Sequence, residues 1–514
     1  MINSNYLTKE AVITSTHNYT YSDLLRLIQA YSNYFQTYNP QKVAIFSENR
    51  IEWIAAFYAS HRLNAVAVTI DFMSSKEDLA YILNDSKPEI ICTGNGLSQN
   101  VRDILPILDY QPTIFDFDSQ ITDIPDDFLT CWEPSNLDET AVILYTSGTT
   151  GSPKGVMLSF RNLLFNVEAV SKGVEIYRQD RQVLILLPLH HIFPLCGSMI
   201  APLYVGATIV MSPSLQSNDL ISTLQKNRVA IIIGVPRLYE MIYKGLKTKI
   251  DASPVGRAML KMVKILKSKK IAKTIFKKVH QGLGGSLEFL VSGGAALPKH
   301  VGEFFDTLGF KVLEGYGMTE TAPMITFTRP DNIKIGSPGQ PLPGIEVKII
   351  DGEIAVKGPN VMLGYYNRRE ETEQILREGW LYTGDLGEFD KQGFLHITGR
   401  KKDIIVLSNG KNINPTELEI KLEKQFSEVK EAGIFLKEGK LCVAIVPNME
   451  ELKNCSYTDL REYFRENVIK VFNSELTSYK RIMLMFLSEV ELPRTRLGKI
   501  QRFKLSSMNF ELSA

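Results

Sequence analysis

Over the first 300 residues, short β-branched runs alternate with stretches of helical periodicity, and this alternation constrains the fold more than any other feature. The runs include KVAIF (42–46), AVAVTI (65–70), EIICT (89–93), AVILYTS (141–147), ATIVM (207–211), VAIIIG (229–234) and EFLVSGG (288–294). Between them lie amphipathic stretches such as Tyr21 to Phe35, Ile51 to Asn64 and Ser159 to Val170, with Ser159 placed to cap its helix. Strand then helix, repeated, means parallel strands joined by crossovers. Uniformly apolar strands must be covered on both faces. The expected fold class is therefore α/β, with parallel sheets flanked by helices.

The texture changes near Gly336 to closely spaced β-like runs with Gly, Pro and Asp turns (PGIEVKIIDGEIAVKGPN), which suits antiparallel sheet or a small barrel. Near residue 400 it changes again, mixing helices (Pro415 to Phe426, Tyr457 to Phe472) with strands (Glu431 to Phe435, Cys442 to Val446, Met483 to Phe486). At 514 residues the chain is too long for one hydrophobic core. We expect a large N-terminal domain, 1–399, that includes a small β-barrel-like lobe, and a small mobile α+β C-terminal domain, 400–514.

One segment, Val183 to Met211, has no Asp, Glu, Lys or Arg over a membrane-spanning length. Pro188, Pro194, Pro202, Gly197 and Gly206 interrupt it, so it reads as a buried strand-turn-helix-strand unit. Lys+Arg 58 against Asp+Glu 57 provides no global field for a nucleic-acid backbone. Five dispersed cysteines without a CxxC pair indicate neither a disulfide framework nor a zinc site, and so a reducing, cytoplasmic setting. The start of the chain does not read as a signal peptide.

Four local patterns carry chemistry. Tyr145-Thr146-Ser147-Gly148-Thr149-Thr150-Gly151-Ser152-Pro153-Lys154-Gly155 lies between a predicted strand and a predicted helix. Its glycines permit positive φ, its hydroxyls and N–H groups can cradle an anion, and Lys154 supplies charge. It lacks Walker A spacing, and a polar surface loop shares its composition. Glu314-Gly315-Tyr316-Gly317-Met318-Thr319-Glu320 sets a ring for a base, a hydroxyl for a phosphate and a carboxylate for Mg²⁺ in one short turn. Tyr382-Thr383-Gly384-Asp385 offers a carboxylate to a ribose, although an ordinary turn looks the same. Gly399-Arg400-Lys401-Lys402-Asp403 stands at the domain boundary, where a hinge belongs, and PRTRLGKIQR presents one lysine, Lys499, after a turn.

The ordered series YTSGTTGSPKG, PLHHIF, VSGGAAL, EGYGMTE, GEIAVKGPNVMLGYY, LYTGD, GRKKDII, GKNINPTELE and PRTRLGKIQR resembles the acyl-adenylating superfamily. That superfamily includes acyl-CoA synthetases, peptide-synthetase adenylation domains and luciferases. The resemblance covers nearly the whole chain and, through VPRLYE and the basic insertion after it, is strongest to long-chain fatty-acid CoA ligases. It implies ATP-dependent activation of a fatty acid to acyl-AMP with Mg²⁺, then transfer to coenzyme A. An acyl-carrier-protein thiol is the alternative acceptor.

The resemblance also implies roles for individual residues. Thr146, Ser147, Gly148, Thr149, Thr150, Gly151 and Lys154 match the phosphate loop, and Gly294 with Ala295 the segment beside adenine and the acyl carbonyl. Within the EGYGMTE motif, Glu314, Gly315, Gly317 and Met318 surround Tyr316, which matches the ring on adenine. Thr319 matches the α-phosphate contact and Glu320 the Mg²⁺ ligand. Asp385 matches the ribose clamp, Arg400 a further nucleotide contact, Lys402 the hinge, and Gly410 the pantetheine path. Lys499 matches the lysine of adenylation, and His191 the group shaping the carboxylate end of the acyl pocket. No Asp near Ile192 to Pro194 is available for a substrate amine, which argues against an amino acid. Asn64 and Thr69-Ile70-Asp71 depart from the family pattern.

The segment Ser253 to His280 carries nine Lys or Arg and no acidic residue, with Met259, Leu260, Val263, Leu266, Ile271 and Ile275 on an apolar side. It reads either as a surface helix packed on its own domain or as a weak peripheral membrane contact at the inner face of the membrane.

Overall fold

The computed structural model describes the chain except residues 1, 3, 120, 122, 123, 129, 131–135, 147–151, 267, 408–410, 450, 453–456, 495–499 and 509–514. It divides into two compact units, one of Met1–Val347 with Val356–Tyr382, the other of Lys348–Ala355 with Thr383–Ala514.

The first unit holds two large sheets. In one, Lys42–Phe46 lies between Val66–Thr69 and Ile90–Thr93, and Thr113–Asp116 and Thr140–Thr146 extend it on either side, all parallel. The other runs parallel from Lys311–Gly317 through Phe289–Ser292, Val229–Gly234, Gln182–Ile185 and Thr208–Met211 to Glu10–Ile13. Antiparallel strands lie at both of its edges. Central strands such as Val229–Gly234 and Ile90–Thr93 are buried at every residue, as continuous aliphatic runs require. Tyr21–Gln36, Ile51–Arg62 and Phe160–Glu168 are helices, and Ser159 caps the last by accepting from Asn162 N–H at 3.2 Å. The uncharged stretch resolves into strand Gln182–Ile185, a helical run over 192–205 and strand Thr208–Met211. Among the described residues no helix is long and apolar enough to cross a membrane.

One local expectation is corrected. The glycine-rich loop does not run from strand to helix. Its far side is strand Lys154–Ser159, antiparallel to Thr140–Thr146 with Thr146 opposite Lys154. Val156, Leu158 and Ser159 bury there, and the helix waits until Phe160. The described residues on either side of the loop thus pair as the two arms of a hairpin.

In the second unit, Leu395–Arg400 pairs antiparallel with Trp380–Phe389, Asp385 facing Arg400. Strands Val429–Lys437, Lys440–Pro447 and Leu484–Leu487 form a three-stranded sheet over a core that includes Leu418, Leu422, Phe464 and Phe472.

Candidate active site

The hairpin sets Lys154 at the root of the glycine-rich segment, where Thr146 Oγ1 donates to the Lys154 carbonyl at 3.5 Å. The Lys154 ammonium pairs with Glu371 and lies 5.2 Å from the centre of the Tyr365 ring. Tyr365 belongs to the short strand Gly364–Tyr365, which adds to Lys154–Ser159 with Tyr365 opposite Val156. Its hydroxyl donates to Glu320 Oε1 at 2.6 Å, and both side chains are buried. Burial, then the Glu320 charge, holds the Tyr365 phenol far above its usual range, so it stays a donor. Met362 N–H donates to the Glu320 carbonyl at 2.9 Å, anchoring the turn as well as the carboxylate. An unbroken chain therefore links Glu371, Lys154, Tyr365 and Glu320. Sequence reasoning missed Tyr365 and Glu371, which sit more than 200 residues from Lys154.

Tyr316 lies buried on strand Lys311–Gly317, which pairs with Met324–Phe327. The flanking glycines are needed for that close pairing. A Cβ on Gly317 would stand 1.8 Å from the Pro323 carbonyl oxygen, and one on Gly315 2.9 Å from the Phe327 ring. Thr319 and Glu320 follow in a single 3₁₀ turn, with Met318 N–H donating to Thr321 Oγ1 at 3.1 Å. Glu314 faces inward and accepts from Gly336 N–H at 3.0 Å. Burial pushes its carboxyl up to about 7, against backbone N–H groups of Gly336 and Leu297 that favour the charged form.

Gly294 takes a φ of +82° just after strand Phe289–Ser292, with Ala295 half-buried beside it. The preceding Gly293, which sequence reasoning passed over, is held by Phe193: a Cβ there would meet the Phe193 ring at 2.9 Å. Phe193, Gly197, Val291, Met324 and Phe327 line a small apolar cavity with Tyr177, the one lining residue whose side chain has a polar group. The cavity thus borders both the Gly294 segment and the strand paired with Tyr316. His191 is exposed at the head of the Phe193 turn. Its neighbour His190 is the buried one, its Nε2 3.6 Å from Asp71 Oδ1. Asp71, one of the departures from the family pattern, thus meets the histidine pair.

In the second unit Asp385 and Arg400, given separate roles from sequence, come together with Arg400 Nε 2.6 Å from Asp385 Oδ1. Tyr382-Thr383-Gly384-Asp385, expected as a turn, lies within strand Trp380–Phe389 because its backbone is taken up by sheet pairing, with Gly384 at φ +72° and Thr383 Oγ1 donating to the Ile354 carbonyl at 2.8 Å. Lys402 is exposed in the turn Lys401–Asp403. Arg502, unmarked in the sequence, reaches Asp403 at 3.0 Å and Glu419 at 2.6 Å. It ties the segment after Lys499 to helix Pro415–Gln425, while Arg494 bridges antiparallel to Ile500. Ser147, Gly148, Thr149, Thr150, Gly151, Gly410 and Lys499 lie outside the described residues.

Residues 3–366 match the model of the AMP-binding enzyme family, and residues 402–511 that of the AMP-binding enzyme C-terminal domain. The chain belongs to the AMP-binding enzyme family. Among its relatives, long-chain-fatty-acid–CoA ligase FadD15 of Mycobacterium bovis is 30% identical over 421 residues, covering 74% of this chain and 68% of that protein. The long-chain-fatty-acid–[acyl-carrier-protein] ligase AEE15 of Arabidopsis thaliana is 32% identical over 64% of this chain and 55% of its own length. Among solved structures, o-succinylbenzoate coenzyme A synthetase (MenE) of Bacillus subtilis, in complex with ATP and magnesium ion, superposes with a TM-score of 0.76. It is 27% identical over 98% of this chain and 99% of that one. The fold is the adenylate-forming one, a large N-terminal domain of sheets and helices followed by a small C-terminal domain.

Proposed function

We propose that this family member is an acid–thiol ligase that activates a long-chain fatty acid with ATP and passes the acyl group to coenzyme A. In the first step a carboxylate oxygen attacks the α-phosphorus and pyrophosphate leaves. In the second the thiol sulfur attacks the acyl carbonyl and AMP leaves. The observation that carries the acid's identity is the likeness to FadD15, a relative named for a long-chain fatty acid. The apolar cavity agrees in chemistry with a hydrocarbon tail, since its lining residues carry no charged side chain and one hydroxyl, but it has room for about one water, so its walls would have to part for an acyl chain.

In this reading Lys154 and the hydroxyl-rich loop grip the polyphosphate, Tyr316 backs the adenine, and Thr319 contacts the α-phosphate. Asp385 takes the ribose hydroxyls, with Arg400 beside it. Glu320 fits a divalent cation that arrives with the nucleotide. Its carboxylate is buried, Tyr365 occupies one oxygen, and the other accepts no hydrogen bond among the described residues. No cluster of three or more metal-binding side chains accompanies it among those residues, so phosphates and waters would have to complete the shell. Bound Mg²⁺ supplies positive charge to the polyphosphate oxygens. Lys499 would meet the charge that develops at the α-phosphate. Motion about Lys402, at a 399/400 domain boundary, would then withdraw Lys499 and present Gly410 to the pantetheine. His191 and Ala295 would flank the acyl carbonyl. The same reading places the enzyme in the cytoplasm, in weak contact with a membrane through residues 253–280.

A second acceptor, the phosphopantetheine of an acyl-carrier protein, is kept because the relative AEE15 is named for it. A panel of acids of increasing length, with ATP, Mg²⁺ and either thiol, tests both. AMP and thioester should rise with chain length and depend on coenzyme A. ADP and phosphate as products would reject the adenylate route, and a preference for succinylbenzoate would reject the fatty acid.

A further inference from the structure

The crossover from strand Val229–Gly234 to strand Phe289–Ser292 carries four helices, of which Pro254–Leu266 has three distinct faces. Ser253 caps it, its Oγ accepting from Gly256 N–H at 3.2 Å. Val263 is buried, and Met259 and Leu260 pack beside it against the unit's second core. These three residues meet the helix's obligation to the fold. Yet four further apolar side chains face outward: Val255, Met262 and Leu266 are exposed, and Ile265 is 79% exposed. At roughly 100° per residue they fall within an arc of roughly 100° beside the packed face. Arg257, Lys261 and Lys264, all exposed, fall in a second arc of roughly 60° on the other side. An ordinary surface helix is apolar inward and polar outward, so an outward apolar stripe beside a cationic one needs its own explanation.

The charges next to the stripe are available. Among the described residues no carboxylate pairs with Lys261, Lys264 or Lys270, whereas Lys269 is held by Asp306 at 2.6 Å and the Arg257 guanidinium donates to the Asp251 carbonyl. No Asp or Glu occurs between Asp251 and Glu288. The following helix, Lys269–Ile275, buries Ala272 and turns Lys270 and Ile271 outward, which continues the mixed character.

We infer that this face docks on an anionic lipid bilayer, with Val255, Met262, Ile265 and Leu266 entering the headgroup–acyl boundary and Lys261, Lys264 and Lys270 among the lipid phosphates. The inference deepens the ligase reading, on which its use rests: a long-chain acid partitions into bilayers, and an enzyme held there meets it at high local concentration. A nucleic acid would take the lysines but leave the aliphatic stripe in water. A second copy docked face to face would bring two cationic segments against each other.

The test uses full-length protein and sedimenting vesicles of phosphatidylcholine with or without phosphatidylglycerol, at low and high salt. Adenylation of a short, water-soluble acid is measured on the same preparations by pyrophosphate exchange. Wild type should sediment only with the phosphatidylglycerol vesicles and only at low salt. Lys261→Gln/Lys264→Gln/Lys270→Gln should lower the partition coefficient about 10²-fold. Met262→Gln/Ile265→Gln should lower it at least about tenfold. All three proteins should keep the same exchange rate. No sedimentation of wild type, or equal sedimentation of wild type and both variants, overturns the inference. So does a dimer, seen by sedimentation velocity, that Met262→Gln/Ile265→Gln abolishes, which would assign the face to self-association. Vesicle binding without any exchange would instead sink the ligase reading and leave the lipid surface standing.

Discussion

Tyr365→Phe separates a positioning role from a packing role at the centre of the candidate site. The change removes one oxygen and keeps the ring, so no cavity opens in the wall and the contact with Lys154, 5.2 Å from the ring centre, survives. What is lost is a 2.6 Å hydrogen bond to the buried Glu320 carboxylate. A hydrogen bond to a charged group is worth ~1.5–3 kcal/mol, and the stranded oxygen carries a desolvation penalty. If Glu320 holds the cation, the phenol is its supporting partner, and loss of such a partner weakens metal affinity by roughly 10–100-fold. The expected result is a rise of about that size in the Mg²⁺ concentration giving half-maximal pyrophosphate exchange. The rate at saturating Mg²⁺ should stay within about threefold of wild type, because the ligand itself remains. Thermal melting of the same protein checks that the fold is intact. An unchanged Mg²⁺ dependence, with or without a lowered melting temperature, would refute the argument and leave Tyr365 a packing residue.

Glu314 predicts a pH signature. Its folded carboxyl titrates at about 7 against an ordinary 4.5, so between those values the folded state binds more protons than the unfolded one. Stability from this group is therefore present below about pH 4.5 and lost as pH rises towards 7, by ~3 kcal/mol in all. Glu314→Gln, measured by denaturant unfolding, should gain on wild type progressively across that window, and a constant difference would contradict it. Gly197→Val should narrow the apolar cavity, since a Cβ there already lies 2.8 Å from Ile233 and 3.3 Å from the Tyr177 hydroxyl. Its kcat/KM should fall for long acids much more than for short ones, and an even loss would place the acyl chain elsewhere. Lys499→Ala should slow adenylation on the order of 10²-fold while sparing thioester formation from supplied acyl-adenylate, and Lys402→Pro the reverse. Equal loss of both steps in both variants would end that division of labour.

The strands and helices of the first unit were legible because their signals are local. A run such as VAIIIG has one comfortable home, a covered strand, and Val229–Gly234 is buried throughout. Ser159 and Ser253 announce helix starts through their own hydroxyls, and both accept the expected N–H. The strand Lys154–Ser159 was not legible. Gly155 and Ser159 interrupt its apolar character, so nothing within six residues distinguishes it from the approach to a helix. Its strand form comes from pairing with Thr140–Thr146 and Gly364–Tyr365.

The candidate site divides along the same line. The sequence by itself determined the order of the motifs, and so the family resemblance, because each is a compact string legible without its neighbours in space. Only the tertiary structure decided that Lys154 answers to Glu371 and Tyr365, that Tyr365 holds Glu320, and that Arg400 covers Asp385. Such pairs leave no trace in either partner's neighbourhood, since a tyrosine followed by a tyrosine looks the same whether or not its hydroxyl meets a carboxylate. The basic helix makes the point once more. Periodicity marks Met259, Leu260, Val263 and Leu266 alike as apolar, yet the unit's core reaches only the first three. Which side of a helix is covered depends on what stands beside it, and that is set by chain brought in from elsewhere.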